Sequence, residues 1–553
     1  MNDFQQVLND TVEVMQHPLE SFGALEYSEK LLLVSVTFLL IAFYICFDDL
    51  LKAPTRAKNA TKYYIFEGIK SIPIVRRKLD AEITKVEKDL YTSIHYCDDT
   101  NTSYRTLPEE GLSKDKLFEL ANVYDKMETP AYLEGKVSGA VFSDESNEDE
   151  IAIYKEYSAK FAWSNPLWPK LFPGVRKMEA EVVRMTCDLL NGDENSCGTM
   201  STGGSMSILL ACLAHRNRAY SKGIKNPEMI LPSSAHAAFF KAAEVFNITI
   251  IEIPVDKDTF TVSVSKVKSA INSKTAFIVA SAPNFPFGTM DDIENISKIA
   301  LKYDIPLHVD ACLGGFLLPF INKEKYGIPK YDFSLPGVTS MSADTHKYGL
   351  TPKGSSVVCY RSKEYLHHQF FVQPDWQGGI YASATLEGSR AGINIALCWA
   401  GLLFHGRNDY EEKANSIMEA TIKIRDGLAQ IPEIRMQGKS NICIVSFTSD
   451  KIDIHRFHGM LGERGWQLSN LQFPSGVHIM VTLNHTKPGV VDSLLEDCRE
   501  VVQLIRETPN EKPEGAAALY GMVQKIPDRS IIKTFAHTYL DTCYSMPKGK
   551  QSN

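Results

Sequence analysis

The sequence predicts an α/β protein: a large domain on a mainly parallel sheet, a smaller C-terminal α/β domain, and one membrane-spanning helix ahead of both. Three observations predict this architecture. Strands and helices alternate from about residue 175 of the 553-residue chain. The strands are continuous apolar runs, such as TAFIVAS at Thr275 to Ser281, which are typical of parallel sheets covered on both faces. Leu31 to Phe47 forms an uncharged apolar segment of 17 residues.

Composition narrows the class of protein. Apolar residues make up 44% and charged residues 23% of the chain, which is typical of a globular protein and excludes a wholly disordered one. With 59 basic and 67 acidic side chains, the formal charge is −8, so a nucleic-acid partner is not expected. The 11 cysteines are scattered without a CxxC pair, which gives no support to a metal site and indicates reduced thiols.

The apolar segment Leu31 to Phe47 is predicted to anchor the chain in a bilayer. A signal peptide and a buried core helix are the alternatives, but an acidic stretch precedes the segment, and it lies ahead of the globular part. Residues 1–30 hold one lysine, whereas residues 52–78 hold eight lysines and arginines, so the N-terminus, with the sequon at Asn9, is expected in a lumen and the rest in the cytosol. A short span fits a thin membrane such as the endoplasmic reticulum.

Hydrophobic periodicity places the elements of the large domain. Predicted helices cover residues 176–191, 206–221, 234–246 and 291–303, and predicted strands cover 228–232, 248–253, 275–281 and 306–310. The smaller domain has predicted strands at 442–447 and 478–483 and predicted helices at 454–464 and 489–506. The predicted organisation therefore begins with a luminal segment (1–30), a membrane helix (31–47) and a juxtamembrane arm (48–145). A large domain (146–400), a small domain (401–545) and a flexible tail (546–553) follow.

Four short motifs, each beside a predicted strand end, together indicate a pyridoxal phosphate site. Asp310 ends an apolar strand, where a carboxylate is costly without a positive partner such as a protonated ring nitrogen. Lys347, in the segment Ser342 to Lys347, offers an amine for a Schiff base. Gly203, Gly204 and Ser205 precede a helix and are suited to cradle a phosphate. His236 follows a strand, where its ring could stack on the cofactor. Each motif alone is weak, but the combination is specific.

The order and the residue sequences of these motifs resemble those of the group II decarboxylase branch of pyridoxal phosphate-dependent fold-type I enzymes, and within it the sphingosine-1-phosphate lyase family. The resemblance runs from the membrane segment to about residue 545. It is carried by stretches at residues 132–140, 161–166, 308–316, 342–347 and 375–383.

The resemblance implies a retro-aldol cleavage of phosphorylated sphingoid bases to a long-chain aldehyde and phosphoethanolamine. It also implies the fold-type I transferase fold, an endoplasmic reticulum membrane location with a cytosolic active site, and a homodimer that shares its active sites. In this reading Lys347 is the Schiff-base lysine, Asp310 the partner of the ring nitrogen, and His236 the stacking residue. The implied phosphate contacts of the cofactor are Gly203, Gly204, Ser205, Ser342 and His346. The residues implied to lie near the reacting groups or to bind substrate are Tyr381, Lys353, Asn165, and the positions occupied by Phe142 and Trp168.

At several positions the residue differs from the one that is typical of the family. Phe142 replaces a tyrosine and Trp168 replaces a histidine, both of which bind substrate phosphate or move a proton in the family. Further departures are Lys170, Met206, Phe287 and Ala391. Loss of one charge-assisted phosphate contact costs about 1.5–3 kcal/mol, or roughly 10- to 100-fold in affinity. Two alternatives therefore stay open, a decarboxylase of the same fold and a cofactor-binding relative with weak or lost lyase activity.

Overall fold

The computed structural model describes residues 73–96, 104–439, 442–511 and 529–547. The chain divides into two compact units, Met1–Met127 with Ile526–Asn553, and Glu128–Lys525. The predicted luminal segment and the predicted membrane helix at 31–47 lie outside the described residues. Among the helices that the structure does describe, none is both long and apolar enough to cross a bilayer.

The first unit is helical in its described part. It contains α1 (Pro73–Ile94) and α2 (Lys114–Asp125) from the N-terminal side, and a C-terminal helix (Arg529–Cys543) that packs against α1. The side chain of Ser113 caps α2 by accepting a hydrogen bond from the Lys116 N–H. The C-terminal helix thus belongs with the N-terminal arm, whereas the sequence placed residues up to 545 in the small domain.

The second unit is built on a seven-stranded sheet. Its strands in chain order are β1 (Cys197–Ser201), β2 (Glu228–Pro232), β3 (Thr249–Ile253), β4 (Thr275–Ser281), β5 (Leu307–Asp310), β6 (Val338–Ala343) and β7 (Ser356–Tyr360). The spatial order is β1-β7-β6-β5-β4-β2-β3. Pairing is parallel from β3 across to β6, and only β7 runs against its neighbours β6 and β1. The prediction of a mainly parallel sheet is confirmed.

Both faces of this sheet are buried, as the continuous apolar strands predict. Along β4, Phe277 and Val279 join one hydrophobic cluster, while Ile278 and Ala280 join another on the opposite side. Helices cover the sheet between the strands. In chain order they are α3 (Glu148–Phe161), α4 (Pro173–Leu189), α5 (Gly204–Ser221), α6 (Ala237–Phe246), α7 (Val264–Ala270), α8 (Ile293–Tyr303), α9 (Lys323–Tyr326) and α10 (Lys363–His367).

After α10, the chain of this unit continues with a small hairpin and then a long helix. A two-stranded sheet of β8 (Phe371–Gln373) and β9 (Tyr381–Ser383) precedes the long helix α11 (Gly392–Ala429), whose helical dihedrals break at Gly406 with φ +60°. The elements after α11 are β10 (Arg435–Met436), β11 (Ile444–Thr448), α12 (Ile454–Glu463), β12 (Ser469–Leu471), β13 (Gly476–Met480) and α13 (Val490–Glu507); α14 is the C-terminal helix Arg529–Cys543. The four short strands pair antiparallel in the order β10-β11-β13-β12.

Candidate active site

The topology of the large sheet brings the predicted motifs to one edge. Strands β1, β2, β5 and β6 run in the same direction, so their carboxyl ends meet at the same side of the sheet. The Gly203-Gly204 turn follows β1, His236 follows β2, Asp310 ends β5, and Lys347 follows β6. Ligands of parallel α/β sheets bind at this edge. The fold therefore gathers four segments that are far apart in sequence.

The phosphate cradle is formed by the turn into α5. Gly203 has φ +153°, which favours glycine, and α5 begins at Gly204 with its first backbone N–H groups free of helical partners. A Cβ atom on Gly204 would lie 2.4 Å from the Asp344 Oδ2 atom, so only glycine fits there. Ser205 is exposed in the first turn, and His346 and Lys241 line the same surface cleft. An 18-residue helix with such an open N-terminus fits a phosphate dianion.

Lys347 is held by a buried carboxylate that the sequence reasoning missed. Its Nζ atom lies 3.0 Å from the Oδ2 atom of Asp344, which is 1% exposed. Burial opposes the charge on Lys347, but the Asp344 carboxylate outweighs it and raises the pKa of the lysine. Burial likewise opposes ionisation of Asp344, but Lys347, His346 and the Ser356 hydroxyl together lower its pKa. The only signal in the sequence was a second acid within the motif that carries the lysine.

His346 lies between the cradle and the lysine. Its Nδ1 atom donates a hydrogen bond to the carbonyl oxygen of Ser355, and its Cε1 atom would lie 3.5 Å from a Cβ on Gly203. Burial lowers the pKa of the imidazole, although Asp344 works in the opposite direction. With Nδ1 used as a donor, the other ring nitrogen of neutral His346 is an acceptor. His346 therefore fits its predicted place beside the cradle, and its contact with the cofactor phosphate stays a prediction.

Asp310 is buried at the end of β5, in register between Ser281 of β4 and Ser342 of β6. Its Oδ1 atom accepts hydrogen bonds from the Cys312 N–H at 3.0 Å and from the Ser342 hydroxyl at 3.2 Å. Both donors act on the same oxygen, and a carboxylate at this place is the partner that a protonated ring nitrogen requires. The Ser342 hydroxyl group thus donates to Asp310, and the predicted contact of Ser342 with the cofactor phosphate stays a prediction.

His236 is the N-cap residue of α6. Its Nδ1 atom accepts a hydrogen bond from the Ala238 N–H at 3.2 Å, which leaves the proton of the neutral ring on Nε2. The ring of Phe285 meets it edge-on, with centroids 6.2 Å apart. This capping bond fixes the ring's orientation at the carboxyl end of β2, and its stacking on a cofactor stays a prediction.

Lys353 and Phe142 lie together near Lys347. The Lys353 Nζ atom is 5.2 Å from the centroid of the Phe142 ring, a cation–π distance. Burial and the charge of Lys347 lower the pKa of Lys353. Phe142 is buried and packs edge-on against Tyr348, with ring centroids 4.9 Å apart. The position where the family has a phenol is therefore beside a second cation of the site.

The remaining predicted residues lie in two surface segments. Asn165 donates from its amide to the Ser389 hydroxyl at 3.0 Å and orders the loop that carries Trp168, which is 60% exposed. Tyr381 lies on β9 and packs against Phe371 and Trp376 with centroids 6.3 and 6.1 Å away. These contacts do not connect Tyr381 or Trp168 to Lys347, so their roles in catalysis and substrate binding stay predictions.

The fold and the composition of this edge define a pyridoxal phosphate-dependent enzyme of the decarboxylase fold. Residues 152–450 match the family model described as the pyridoxal-dependent decarboxylase conserved domain. The chain is 43% identical over 506 residues to sphingosine-1-phosphate lyase 1 of Rattus norvegicus, covering 91% of this chain and 88% of the relative. It is 44% identical over 490 residues to the Drosophila melanogaster sphingosine-1-phosphate lyase, covering 88% and 90%.

A solved structure agrees with these relatives. The sphingosine-1-phosphate lyase of Burkholderia pseudomallei superposes with a TM-score of 0.70 at 38% identity, covering 76% of this chain and 97% of that chain. The chain therefore belongs to the sphingosine-1-phosphate lyase family.

Proposed function

We propose that this protein is a pyridoxal phosphate-dependent lyase that cleaves phosphorylated sphingoid bases between C2 and C3. The products are a long-chain aldehyde and phosphoethanolamine. The observation that carries the proposal is that a chain 43% identical to a curated lyase over 91% of its length keeps Lys347 and Asp310 at one edge of the sheet. The charge of Asp310 also acts on the pKa of Lys347, so the two side chains share one electrostatic environment.

Each residue of the site has a defined task in this reaction. Pyridoxal phosphate, when bound, supplies a ring that accepts the electron pair left on C2 as the C2–C3 bond breaks. Lys347 would provide the amine that holds the cofactor. Asp310 would accept a hydrogen bond from the protonated ring nitrogen, the cradle at Gly203 and Gly204 would bind the cofactor phosphate, and the cation of Lys353 would attract the substrate phosphate.

The substitution at position 142 supports retuned rather than absent substrate binding. A phenol at this position would place a hydroxyl group near the ammonium of Lys353, whereas the Phe142 ring offers its face to the same cation. Phe142 therefore keeps Lys353 in the site but removes one hydrogen-bond donor for a phosphate oxygen. The lyase reaction is expected to be slower than in a relative with tyrosine there, and the cofactor site is unaffected.

The proposal extends to assembly and location. We infer a homodimer with shared active sites, anchored in the endoplasmic reticulum membrane by Leu31 to Phe47, with the N-terminus in the lumen and the catalytic part in the cytosol. The support is the charge asymmetry around the apolar segment and the exposed apolar side chains of the β8–β9 hairpin, among them Trp376 and Ile380. Cross-linking and protease protection of microsomes test the two inferences separately.

The decisive experiment combines trapping with product analysis. Full-length protein in detergent is incubated with dihydrosphingosine phosphate, and mass spectrometry measures hexadecanal and phosphoethanolamine. Borohydride reduction of the loaded protein should place the cofactor on Lys347, and Lys347→Arg should lose both the label and the aldehyde. Lys330→Arg, at an exposed loop position, is the matched control and should keep both.

The same assay decides between the proposal and its alternatives. Carbon dioxide released from an amino acid without aldehyde would favour a decarboxylase. Cofactor absorbance without either product would favour a cofactor-binding relative. The family membership makes the lyase reaction the first expectation.

A further inference from the structure

A row of buried polar side chains runs into the protein behind Asp310. Its Oδ1 atom lies 3.2 Å from the Ser342 hydroxyl oxygen, which lies 3.4 Å from His308 Nε2. The Nδ1 atom of His308 lies 2.9 Å from the Ser340 hydroxyl oxygen, and that oxygen lies 2.7 Å from His215 Nε2. All five residues are buried, and they come from β5, β6 and α5, the helix that begins at the phosphate cradle.

Starting from an ionised Asp310, the available donors and acceptors give every hydrogen bond in this row one direction. An ionised carboxylate only accepts, so the Ser342 hydroxyl must donate its single proton to Asp310. Its oxygen then accepts from His308 Nε2–H and from the Cys312 thiol at 3.3 Å. With its proton on Nε2, neutral His308 accepts at Nδ1 from the Ser340 hydroxyl, whose oxygen accepts in turn from His215 Nε2–H.

Two independent features agree with this direction. Neutral His215 with its proton on Nε2 carries a bare lone pair on Nδ1, and that atom is buried without a hydrogen-bond partner in the described structure. Burial lowers the pKa of His308 to about 4, so the imidazole is neutral at cellular pH. The opposite tautomer of His308 would take the Ser342 proton and leave Asp310 with the Cys312 N–H alone.

We propose that His215, Ser340, His308 and Ser342 form a one-directional donor relay that ends on Asp310 Oδ1 and positions this carboxylate to keep the proton on the cofactor's ring nitrogen. Donors on a carboxylate lower its proton affinity, so the proton shared with the ring stays on nitrogen. Because the relay binds Oδ1, the Oδ2 atom stays available to the ring. His308 and Ser342 are thus positioning residues. The proposal rests on the cofactor site of the proposed function and not on its substrate.

The test measures the ring nitrogen directly. Full-length apoprotein is loaded with pyridoxal 5′-phosphate carrying ¹⁵N in the ring, and the ¹⁵N chemical shift reports the protonated fraction. Ser342→Ala should move the shift towards the unprotonated value and weaken cofactor binding about tenfold, the loss expected for one hydrogen bond to a charged group. His308→Leu, which leaves Ser342 in place, should move the shift in the same direction with about threefold weaker binding. Ser342→Thr keeps the hydroxyl, so the ¹⁵N shift and the affinity for the cofactor should both stay near their wild-type values.

Ser281→Ala is the matched control, since Ser281 flanks Asp310 in register on the opposite strand and is equally buried. It should leave the ¹⁵N shift unchanged. The relay is refuted if Ser342→Ala keeps the wild-type shift, or if Ser281→Ala moves it as far. The Ser342 pair decides the question even if His308→Leu does not fold. No substrate is used, so a protein that binds the cofactor but releases no aldehyde still tests the relay; one that binds no cofactor refutes relay and cofactor site together.

Discussion

Replacing Asp344 by asparagine should destabilise the cofactor-free protein strongly, because it leaves the ammonium of Lys347 buried without its charge partner. The Nζ–Oδ2 distance is 3.0 Å, and the carboxylate is 1% exposed against 23% for the lysine side chain. At this separation the Coulomb attraction is about 5 kcal/mol for the effective dielectric constant near 20 that describes such sites. Breaking a buried pair by removing one partner costs about 3–5 kcal/mol.

The pH dependence follows from the two pKa shifts. The pKa of Asp344 is lowered, so its contribution is present above the pKa of an unfolded aspartate, about 3.9, and is lost as pH falls through the folded value. The pKa of Lys347 is raised, so its contribution is present below about 10.4 and is lost as pH rises through the folded value. In the wild type the Asp344–Lys347 pair should therefore contribute its full stabilisation between pH 6 and 9.

The assay is a double-mutant cycle in urea. Free energies of unfolding are measured for the cofactor-free wild type, Asp344→Asn, Lys347→Met and the double variant at pH 7. Each single variant strands one charge, whereas the double variant strands none, so the coupling energy should reach about 2–3 kcal/mol. A coupling energy below about 0.5 kcal/mol would show that the pair does not hold Lys347, and the account of this cluster would be wrong.

Three further outcomes follow from the structure. Gly204→Ala should lose most cofactor binding, measured by absorbance titration, because its Cβ would lie 2.4 Å from a buried carboxylate oxygen; Gly174→Ala, with nothing within 4 Å, should bind normally. Phe142→Tyr combined with Trp168→His should raise kcat/KM for a phosphorylated sphingoid base at least about tenfold. An unchanged kcat/KM would contradict the idea that these two positions contact the substrate phosphate. Burial lowers the pKa of His485 to about 4, so the free energy of unfolding of the wild type should fall by about 2 kcal/mol between pH 7 and 5 because of this residue. In urea titrations, the free energy of unfolding of His485→Gln should fall correspondingly less.

The sequence predicted the parts of the fold in which local pattern and burial agree. The apolar run at 275–281 became β4 with the same limits, and the predicted strand at 306–310 became β5, one residue shorter. Strands β1 and β6 escaped prediction because Cys197–Ser201 and Val338–Ala343 are rich in glycine, serine and threonine and lack an apolar run, whereas the short apolar strand β7 (Ser356–Tyr360) was missed despite its pattern. Their place in the sheet depends on pairing with distant strands, which no local pattern contains.

The same reasoning explains what was seen and missed at the site. Lys347 and Asp310 could be predicted because a lysine and a buried acid beside strand ends have a chemical meaning on their own. Asp344 could not, because its importance comes from meeting the backbone of Gly204 and the amine of Lys347 in space. The division near residue 400 stays a prediction; α11, which begins at Gly392, is helical at residue 400 and breaks at Gly406.

The arrangement of charges explains why cofactor binding and turnover can vary independently in this family member. Asp310 and its donor Ser342 lie on the buried strands β5 and β6, while Asp344, directly after β6, contacts Lys347 and lies beside Gly204 of the cradle. Phe142 and Lys353, which are predicted to lie on the substrate side, contact each other, and Trp168 lies on an exposed loop. Neither Phe142 nor Trp168 is a partner of the described hydrogen bonds of Asp310 or of the ion pair of Lys347, so we expect a substitution at position 142 or 168 to leave those contacts in place. Selection on substrate range can act there while the cofactor chemistry stays intact.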